Sequence, residues 1–532
     1  MNTLGELLER SATEHPDRAL VHHRGRDWTY AEVWSGALSV AGWLRAHGLQ
    51  PGERIGMIVA NSPEYVICYF GILLAGGVVV AVNTDTTARE LSHTLAHCRP
   101  AGVIVAPGCE KHLAGAAADL ECVRLVIRLG AHRESPLPLG ECTVPFAEVC
   151  AHAAIDSVVG RGDDSQIAQI IYTSGTTGRP KGVTLSHRNL LANTRSIVEY
   201  LELTATDSVF AILPFFYSYG NSLLLTHVAV GGRLILASDF VFWNRALDLM
   251  ERERATGFAG VPSTYAMLLH KSDFRKRAFR DLRYVTCAGG ALAPATVRRV
   301  RECVPHARLF LMYGQTEAAA RLSTLLPEEL DRKPGSIGRG IPGVALSVLD
   351  ESGRPVGPGQ VGEIVARGKN IMVGYWNDPE ATRQVLRPEG LRTGDLARID
   401  EDGYLYIAGR RSDLIKSGAY RINPQEIEDV ILELNGVADA AVVGSPDPMM
   451  GEVPTAFVVP AAERNGLSEE GVIEHCRKNL PRYKQLRRVE LTDFLPRTNS
   501  GKIKRHELRE RLSAPAEAQN QKAAAPPGCA PR

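Results

Sequence analysis

An eleven-residue stretch, YTSGTTGRPKG at residues 172 to 182, constrains this chain more than any other segment. It contains five hydroxyl side chains, three glycines and one lysine, so it cannot bury itself in a hydrophobic core. Glycines let successive backbone N–H groups converge, hydroxyls add donors, and a lysine adds a positive charge. The stretch therefore predicts a cradle for polyphosphate oxygens. Its candidate phosphate-binding residues are Thr173, Ser174, Gly175, Thr176, Thr177, Gly178 and Lys181.

The segments on either side favour a binding loop over an ordinary surface turn, although turns have a similar composition. Residues 166 to 171 (QIAQII) predict a buried strand, and residues 187 to 202 have helical spacing. Strand, glycine loop and helix is an architecture that binds phosphate. The stretch does not match the nucleotidase pattern G-x-x-x-x-G-K-[ST], because Pro180 stands where the second glycine is required.

Length and composition exclude several other classes of protein. With 532 residues, the chain should form roughly three or four compact units. Its formal net charge of +1 provides no global field for binding nucleic acid or a membrane. Ten cysteines occur without any C-x-x-C pair, which argues against a structural zinc site and a disulfide framework. The first residues lack a basic stretch followed by an apolar core, so we expect a cytoplasmic protein.

The longest apolar run, residues 65 to 83, is interrupted by Gly71, Gly76 and Gly77. Its pattern changes midway from helical to β-branched. It therefore predicts a buried helix, a Gly-Gly turn and a strand rather than a membrane span.

Two motifs carry functional groups: YGQTE follows an apolar predicted strand, and LRTGD is expected to form a tight turn. In YGQTE, Tyr313 is suited to stack on adenine, Thr316 to donate to a phosphate, and Glu317 to hold Mg²⁺. In LRTGD, the carboxylate of Asp395 is suited to bind both hydroxyls of a ribose, with a helix or turn cap as the structural alternative.

Two glycine-containing or aromatic segments are candidates for the organic parts of a ligand. In YVTCAGGALAP, the backbone at residues 289 to 291 would let a flat ligand lie close, because no large side chain intervenes. In residues 209 to 236, aromatic side chains crowd the junction between a predicted strand and helix. For Phe215 or Phe216, core packing is as good an explanation as a place in the substrate pocket. Other side chains of this segment could bind a polar substrate. Those candidates are Tyr217, Tyr219 and Asn221.

YTSGTTGRPKG resembles the signature of the adenylate-forming superfamily, which comprises acyl- and aryl-CoA synthetases, the adenylation domains of peptide synthetases, and luciferases. The other motifs occur in the order typical of that superfamily. The resemblance implies an α/β fold with a large N-terminal domain of layered α/β subdomains plus a β-rich subdomain, and a small mobile α+β C-terminal domain. The expected divisions are residues 1–410, a hinge at 411–413, a mobile domain at 414–512, and a low-complexity, disordered tail at 513–532.

The resemblance also assigns roles to single residues. It places adenine and the substrate carboxyl group against Gly289, Gly290 and Ala291, so Gly290 belongs to the substrate pocket as well. Arg410 matches a second contact to the ribose or a phosphate. In SGAYRINPQEIE, Gly418 would allow passage of a pantetheine arm, and in PRTNSGKIKR the mobile catalytic lysine is Lys502.

Three departures from the superfamily's usual pattern bear on substrate and hinge. Tyr217 stands where a histidine is most often found, which leaves the substrate class open. Ser412 occupies the hinge in place of an aspartate or lysine, and a small residue can absorb the same change in backbone angles. No acidic residue occurs between Pro214 and Leu225, so an α-amino acid substrate is disfavoured.

The expected reaction is ATP-dependent activation of a small-molecule carboxylate to an acyl-adenylate, followed by transfer to a thiol. The predicted cofactors are ATP, Mg²⁺ and coenzyme A. One alternative is a stand-alone ligase that loads the phosphopantetheine of a carrier protein. Another is a nucleotide-binding module without turnover, which the presence of every expected catalytic side chain disfavours. No nucleic acid partner is expected, and the oligomeric state stays open.

Overall fold

The computed structural model describes most of the chain. The described residues are 2–117, 120–130, 142–155, 159, 161–173, 180–237, 242–410, 413–418, 420–461, 467–498 and 502–513.

The helices of these ranges, in chain order, are α1 (Leu4–Glu14), α2 (Tyr30–Ala46), α3 (Pro63–Leu74), α4 (Ala88–Cys98), α5 (Glu110–Gly115), α6 (Phe146–Cys150), α7 (His187–Leu201), α8 (Ser218–Val230), α9 (Trp243–Arg252), α10 (Pro262–Lys271), α11 (Pro294–Cys303), α12 (Pro379–Val385), α13 (Pro424–Ile431), α14 (Glu469–Asn479) and α15 (Arg505–Ser513).

The strands are β1 (Ala19–His23), β2 (Arg26–Thr29), β3 (Arg54–Ile58), β4 (Val78–Ala81), β5 (Gly102–Val105), β6 (Leu125–Arg128), β7 (Cys142–Pro145), β8 (Ile167–Thr173), β9 (Lys181–Ser186), β10 (Ser208–Ala211), β11 (Arg233–Leu236), β12 (Gly257–Gly260), β13 (Tyr284–Cys287), β14 (Arg308–Tyr313), β15 (Ser323–Leu325), β16 (Arg339–Gly340), β17 (Val344–Leu349), β18 (Val361–Gly368), β19 (Gly374–Tyr375), β20 (Leu386–Arg387), β21 (Gly390–Ile399), β22 (Leu405–Arg410), β23 (Ile415–Ser417), β24 (Tyr420–Ile422), β25 (Val437–Asp447), β26 (Gly451–Pro460) and β27 (Arg488–Leu491).

Two large sheets form the body of the molecule. One has the strand order β19-β9-β8-β4-β3-β5-β6-β7, and the other has the order β16-β15-β14-β13-β12-β10-β11-β1-β2. The central strands of both sheets run parallel, and antiparallel strands occur at the edges. Ligands of such sheets bind outside the carboxyl ends of the parallel strands, which is where β8, β10, β13 and β14 place the predicted motifs.

The core between the sheets explains the longest apolar run. Every residue of α3 except Glu64 is buried, and Tyr65 and Tyr69 are fully inaccessible to solvent. After Gly76 and Gly77 the chain enters β4, whose four residues are all buried. The expected helix, turn and strand are therefore confirmed. Within the described ranges, no helix combines the length and apolar character that crossing a bilayer requires.

A third, antiparallel sheet follows the two large ones, with the order β17-β18-β21-β20 and β22 on β21. A fourth sheet, β24-β23-β26-β25 with β27 on β26, belongs to the C-terminal part of the chain, where α13, α14 and α15 cover it. This part also contacts the N-terminal body, because β25 packs beside α10. The expected α/β fold with a β-rich subdomain and a small C-terminal domain is confirmed.

The expected order of strand, glycine loop and helix is wrong. A second strand, β9, lies between the loop and α7, and it pairs antiparallel with β8 so that Thr173 lies opposite Lys181. The run KGVTLS forms a buried strand between β8 and β19. Helix α7 begins only after Ser186, which caps it by accepting from the backbone N–H of Asn189 at 3.2 Å. The loop thus connects two strands, and the N-terminus of α7 is not its neighbour in the chain.

Candidate active site

A bare backbone shelf follows β13. Gly289, Gly290 and Ala291 are all exposed. Gly289 has φ +85°, a conformation that favours glycine. A Cβ on Gly290 would stand 3.3 Å from Pro262 Cγ, so the shelf is also narrow on that side. The geometry fits the predicted seat for a flat ring.

Asp395 and its two partners form the next part of the site. The phenol of Tyr313, at the end of β14, donates to Asp395 Oδ2 at 2.7 Å, and Arg410 Nε donates to Oδ1 at 2.7 Å. Asp395 is buried, whereas Arg410 retains exposed surface. Their proximity raises the pKa of the Arg410 guanidinium above its ordinary value, because the carboxylate stabilises the charged form.

Asp395 lies inside β21, opposite Arg410 of β22, and not on the tip of a tight turn as the sequence suggested. The preceding Gly394 has φ +74°. The alternative interpretation as a helix or turn cap is not supported, since both carboxylate oxygens bind side chains. The carboxylate is therefore held in a fixed position by a neighbouring strand and by Tyr313.

Glu317 is held by a residue that the sequence analysis did not single out. Tyr375 of β19 donates to Glu317 Oε1 at 2.9 Å, and Lys181 Nζ lies 5.1 Å from the centre of the Tyr375 ring. Thr316 begins the short 3₁₀ turn that carries Glu317, and its Oγ1 lies 3.4 Å from Ser218 Oγ. Tyr375 thus connects the end of the glycine loop with the YGQTE motif.

The aromatic residues that follow β10 form two groups. Two lie in the core, and the other two, Tyr217 and Tyr219, are partly buried. Phe215 and Phe216 are buried, which agrees with their interpretation as packing residues. Tyr217 is half-buried, and desolvation raises its pKa to about 12. Tyr219 shares a hydrogen bond with Thr286 Oγ1 at 2.8 Å, just before the shelf. The phenol of Tyr219 is therefore held at the end of β13.

Asn221 has partners inside the protein. Its side-chain amide is buried and donates to Gln169 Oε1 at 2.9 Å and lies 3.5 Å from the hydroxyl of Tyr69. These contacts tie α8 to α3 and β8. Contact between Asn221 and a substrate stays a prediction.

Lys502 reaches this cleft from the C-terminal domain. Its charge interacts with Glu317, Asp395 and Arg410, all of the N-terminal body. Lys502 is exposed to solvent, although many protein atoms lie around it. Desolvation and the nearby Arg410 lower the pKa of Lys502 from its ordinary value, and the two carboxylates oppose that shift. The lysine that the resemblance singled out thus converges with three other predicted site residues.

The turn that carries Lys502 is closed by its own backbone. The Thr498 N–H donates to the Lys502 carbonyl at 2.7 Å, and the Lys502 N–H donates to Thr498 Oγ1 at 3.1 Å. Ion pairs hold both sides: Arg497 to Asp439, and Arg505 to Glu428. The turn is therefore fastened to α13 and β25.

Gly418 adopts φ +55°, and its N–H donates to the Met450 carbonyl at 2.7 Å. A Cβ at this position would lie 3.1 Å from Met450 Cε and would require a strained backbone. This conformation agrees with a need for glycine, while the pantetheine role stays a prediction. Ser412 and five loop residues lie outside the described residues, and their roles also stay predictions. The loop residues are Ser174, Gly175, Thr176, Thr177 and Gly178.

Comparison with known proteins places this arrangement in a family. The family description "AMP-binding enzyme" matches residues 8–376, and "AMP-binding enzyme C-terminal domain" matches residues 426–502. The chain belongs to the AMP-binding enzyme family. Feruloyl-CoA synthase from Amycolatopsis sp is 35% identical over 513 residues, which cover 96% of this chain and 99% of that protein.

Solved structures of this family agree with the fold. The anthranilate CoA ligase AuaEII in complex with anthranoyl-AMP has a TM-score of 0.88 and 26% identity, and the match covers 96% of this chain and 97% of that chain. ATP-bound MatB from Rhodopseudomonas palustris has a TM-score of 0.84 and 31% identity, with 96% and 99% covered. This AMP-binding enzyme is an AMP-forming acid–thiol ligase of the acyl-CoA synthetase type. It activates a small-molecule carboxylic acid with ATP and transfers the acyl group to coenzyme A.

Proposed function

We propose that this acyl-CoA synthetase uses the convergence of Lys502 with Glu317, Asp395 and Arg410 to form the acyl-adenylate, and a second domain orientation to form the thioester. The proposal rests on this arrangement, because Lys502 of the C-terminal domain lies near the motifs of the N-terminal body. A lysine in that position offsets negative charge on the α-phosphate during attack.

In the first half-reaction, a carboxylate oxygen bonds to the α-phosphorus of ATP and the bond to pyrophosphate breaks. The nucleophile is already an anion at neutral pH, so no general base is needed. The shelf at Gly289 to Ala291 seats adenine, Asp395 binds the ribose hydroxyls, and Arg410 orients Asp395. Thr316 and Lys502 donate to phosphate oxygens, and Lys181 organises the pyrophosphate that leaves.

The chemistry of Glu317 fits a magnesium ion shared with the substrate. Among the described residues, no group of three or more His, Cys, Asp or Glu side chains could hold a metal alone. Mg²⁺ commonly takes one or two carboxylates together with substrate phosphates and water. When bound, the ion neutralises phosphate charge, and Tyr375 keeps Glu317 oriented toward it.

In the second half-reaction, the thiol of coenzyme A releases its proton to solvent and its sulfur bonds to the acyl carbon, while the bond from that carbon to the phosphate oxygen breaks and AMP leaves. Lys502 occupies one face of the cleft in the orientation described here. Rotation about Ser412 would exchange the Lys502 turn for the loop that contains Gly418. Coenzyme A is favoured over a carrier protein because relatives of this chain carry CoA-synthase and CoA-ligase names. We propose that the enzyme acts in a reducing cytoplasm, because its ten cysteines occur without any C-x-x-C pair.

ATP–pyrophosphate exchange, measured across a panel of fatty, aryl and amino acids and followed by addition of coenzyme A, tests the proposal. We expect exchange with a non-amino carboxylic acid and release of an acyl-CoA and AMP. Exchange without acyl-CoA, together with loading of a carrier protein, would overturn coenzyme A as the acceptor. Exchange confined to α-amino acids would refute the inference from residues 214 to 225.

A further inference from the structure

Arg321 is a buried cation that the proposed chemistry does not use. Only 2% of its surface is exposed. Its guanidinium carbon lies 4.0 Å from the centre of the Tyr219 ring, and Nε lies 3.2 Å from Met312 Sδ. The hydroxyl of Tyr200, which also contacts Met312 Sδ at 3.0 Å, faces Arg321 as well. All of these neighbours are neutral.

The backbone holds Arg321 firmly in this position. Its carbonyl accepts from the side-chain amides of Asn193 and Asn370, each at 3.0 Å. The residue follows Glu317 by four positions, after a turn in which Ala319 adopts φ +60°. The turn therefore directs the two side chains to different places. Glu317 contacts Tyr375, and Arg321 contacts Tyr219.

The contacts of Tyr219 place Arg321 beside the acyl pocket. Tyr219 joins Thr286 at the end of β13, immediately before the shelf, and its neighbour Ser218 approaches Thr316 at 3.4 Å. Tyr219 is a predicted residue of the substrate pocket, and the substrate carboxyl group is predicted to lie against Gly289 to Ala291, just after β13. The guanidinium of Arg321 lies over the ring of Tyr219, so Arg321 is a direct neighbour of that predicted pocket.

The charge of Arg321 has no counterpart among the residues that the structure describes. No carboxylate there forms an ion pair with it, and the thioether and ring contacts satisfy few of the five N–H donors of a guanidinium. Two other arginines, the buried Arg128 and the partly buried Arg505, differ. Arg128 pairs with Glu110, and Arg505 pairs with Glu428 through two nitrogens. Burying a charge is unfavourable unless it is paired, although a cation over a tyrosine ring recovers part of the loss.

Resting on the proposed acyl-CoA synthetase activity, we propose that the acid substrate carries a second carboxylate, which pairs with Arg321 at the end of the acyl pocket. A guanidinium presents parallel N–H donors that match a carboxylate in bidentate geometry. The ring of Tyr219, over which the guanidinium lies, would contact the carbon skeleton between the two acid groups. The substrate is thus a dicarboxylic acid, of which only the carboxylate near Thr316 is activated.

Matched pairs of acids test this inference. Each of a series of short aliphatic and benzene dicarboxylic acids is compared with its monoamide, which is nearly isosteric but neutral at the second position. Acyl-CoA formation and ATP–pyrophosphate exchange are both measured. We expect kcat/KM for at least one diacid to exceed that of its monoamide by about tenfold to a hundredfold, the range of a charge-assisted hydrogen bond.

Variants of Arg321 separate selectivity from stability. Arg321→Met keeps the length of the side chain, removes the charge and should abolish or reverse the preference for the diacid. Arg321→Lys should retain part of it. The control is Arg128→Met, which removes a buried arginine from the other large sheet and should lower the melting temperature without changing the ratio of diacid to monoamide.

Equal or better use of the monoamides by the wild-type enzyme would overturn this inference and leave the proposed function intact. An unchanged diacid preference in a folded Arg321→Met enzyme would overturn it as well. If no mono- or dicarboxylic acid supports exchange or acyl-CoA formation by the folded wild-type protein, the proposed function itself fails, and the inference fails with it.

Discussion

At the scale of single residues, the cleft owes its charge pattern to side chains from separate parts of the chain. Lys502 and Arg410 are the cations, Glu317 and Asp395 are the anions, and each carboxylate accepts a hydrogen bond from a tyrosine. Such bonds hold a charged group in one orientation before the ligand arrives, which is a condition for electrostatic catalysis.

Replacement of Lys502 by alanine should separate the two half-reactions. We expect Lys502→Ala to slow acyl-adenylate formation by about 10²–10³-fold, since removal of one donor to a transition-state anion has an effect of this size. Thioester formation from supplied acyl-AMP should continue. Rapid-quench measurement of each half-reaction checks this, with Lys504→Ala as the control, because Lys504 pairs with Glu507 at 2.8 Å instead. Equal loss of both halves would refute the two-orientation mechanism.

Tyr375→Phe should weaken the use of Mg²⁺ and ATP. The substitution keeps the ring beside Lys181 but removes the 2.9 Å hydrogen bond to Glu317. A hydrogen bond to a charged group contributes about 1.5–3 kcal/mol, so kcat/KM for MgATP should fall about tenfold or more. Titration of the rate with Mg²⁺ should show a higher requirement. Tyr406→Phe, which removes a phenol bonded to Asp400, serves as a control, and identical Mg²⁺ curves for both variants would contradict the role of Tyr375.

At the scale of elements, short-range patterns predicted several strands and helices, whereas the pairing of strands distant in sequence could not be predicted from them. The helix, turn and strand of residues 63 to 81 followed from a change of periodicity. The pairing of β9 with β19, distant in sequence, was not visible in the loop that precedes it. Tyr375 was missed for the same reason, since no local motif marks its hydroxyl.

The turn that carries Lys502 depends on helix α13 for its position. Glu428 is buried, binds Arg505 through two nitrogens, and accepts from the Val442 N–H at 2.6 Å. Glu428→Gln should leave the Arg505 charge without its partner and destabilise the C-terminal domain by about 3–5 kcal/mol. Among molecules that remain folded, adenylate formation should fall more than thioester formation, because only the first uses the Lys502 turn.

The control for this prediction lies on the same helix. Glu426 pairs with Lys484 on the exposed side of α13, so Glu426→Gln tests loss of a surface ion pair. It should change stability by less than about 1 kcal/mol. Chemical denaturation and the two half-reaction rates provide the measurements. A Glu428→Gln enzyme with both rates reduced by the same factor would show that the pair supports folding alone.

At the scale of the whole molecule, two buried histidines should make stability depend on pH. His187 accepts the Leu4 N–H at 3.1 Å, His227 lies between Leu223 and Tyr284, and desolvation lowers the pKa of each to about 4. The unfolded chain binds these protons near pH 6.5, so stability is full above that pH and falls as pH decreases toward 4. Each histidine contributes up to about 3 kcal/mol.

Melting temperatures measured between pH 7 and pH 4 check the expectation, and His187→Gln should reduce the slope. Asp429 acts in the opposite direction, because burial raises its pKa to about 7 and the folded state therefore gains stability as pH falls below that value. A melting temperature that is constant over this range in the wild type and in Asp429→Asn would contradict neutral buried histidines.

Site residues that stand in short local motifs could be predicted from the sequence. A residue whose role depends on burial and on charges elsewhere in the fold could not. Asp395, Glu317 and Lys502 stand in recognisable short patterns, and the structure brings them together. Arg321 follows YGQTE after three alanines, yet its sequence context does not reveal whether an arginine faces solvent or a core. The burial of Arg321, and its lack of a carboxylate partner among the described residues, depend on how Tyr219 and Met312 pack around it.

The attachment of the first strands to the second large sheet has a consequence for biosynthesis. Strand β1 pairs with β11, and the hydroxyl of Tyr30 donates to the carbonyl of Gly232, 202 residues later in the chain, at 2.8 Å. At roughly 5–20 residues per second, a ribosome needs on the order of 10–40 s to supply that partner. During this interval the apolar face of α1, with Leu4, Leu7 and Leu8, lacks its native cover on α8. We therefore expect chaperones to bind this apolar face of the nascent chain before the enzyme folds and becomes active.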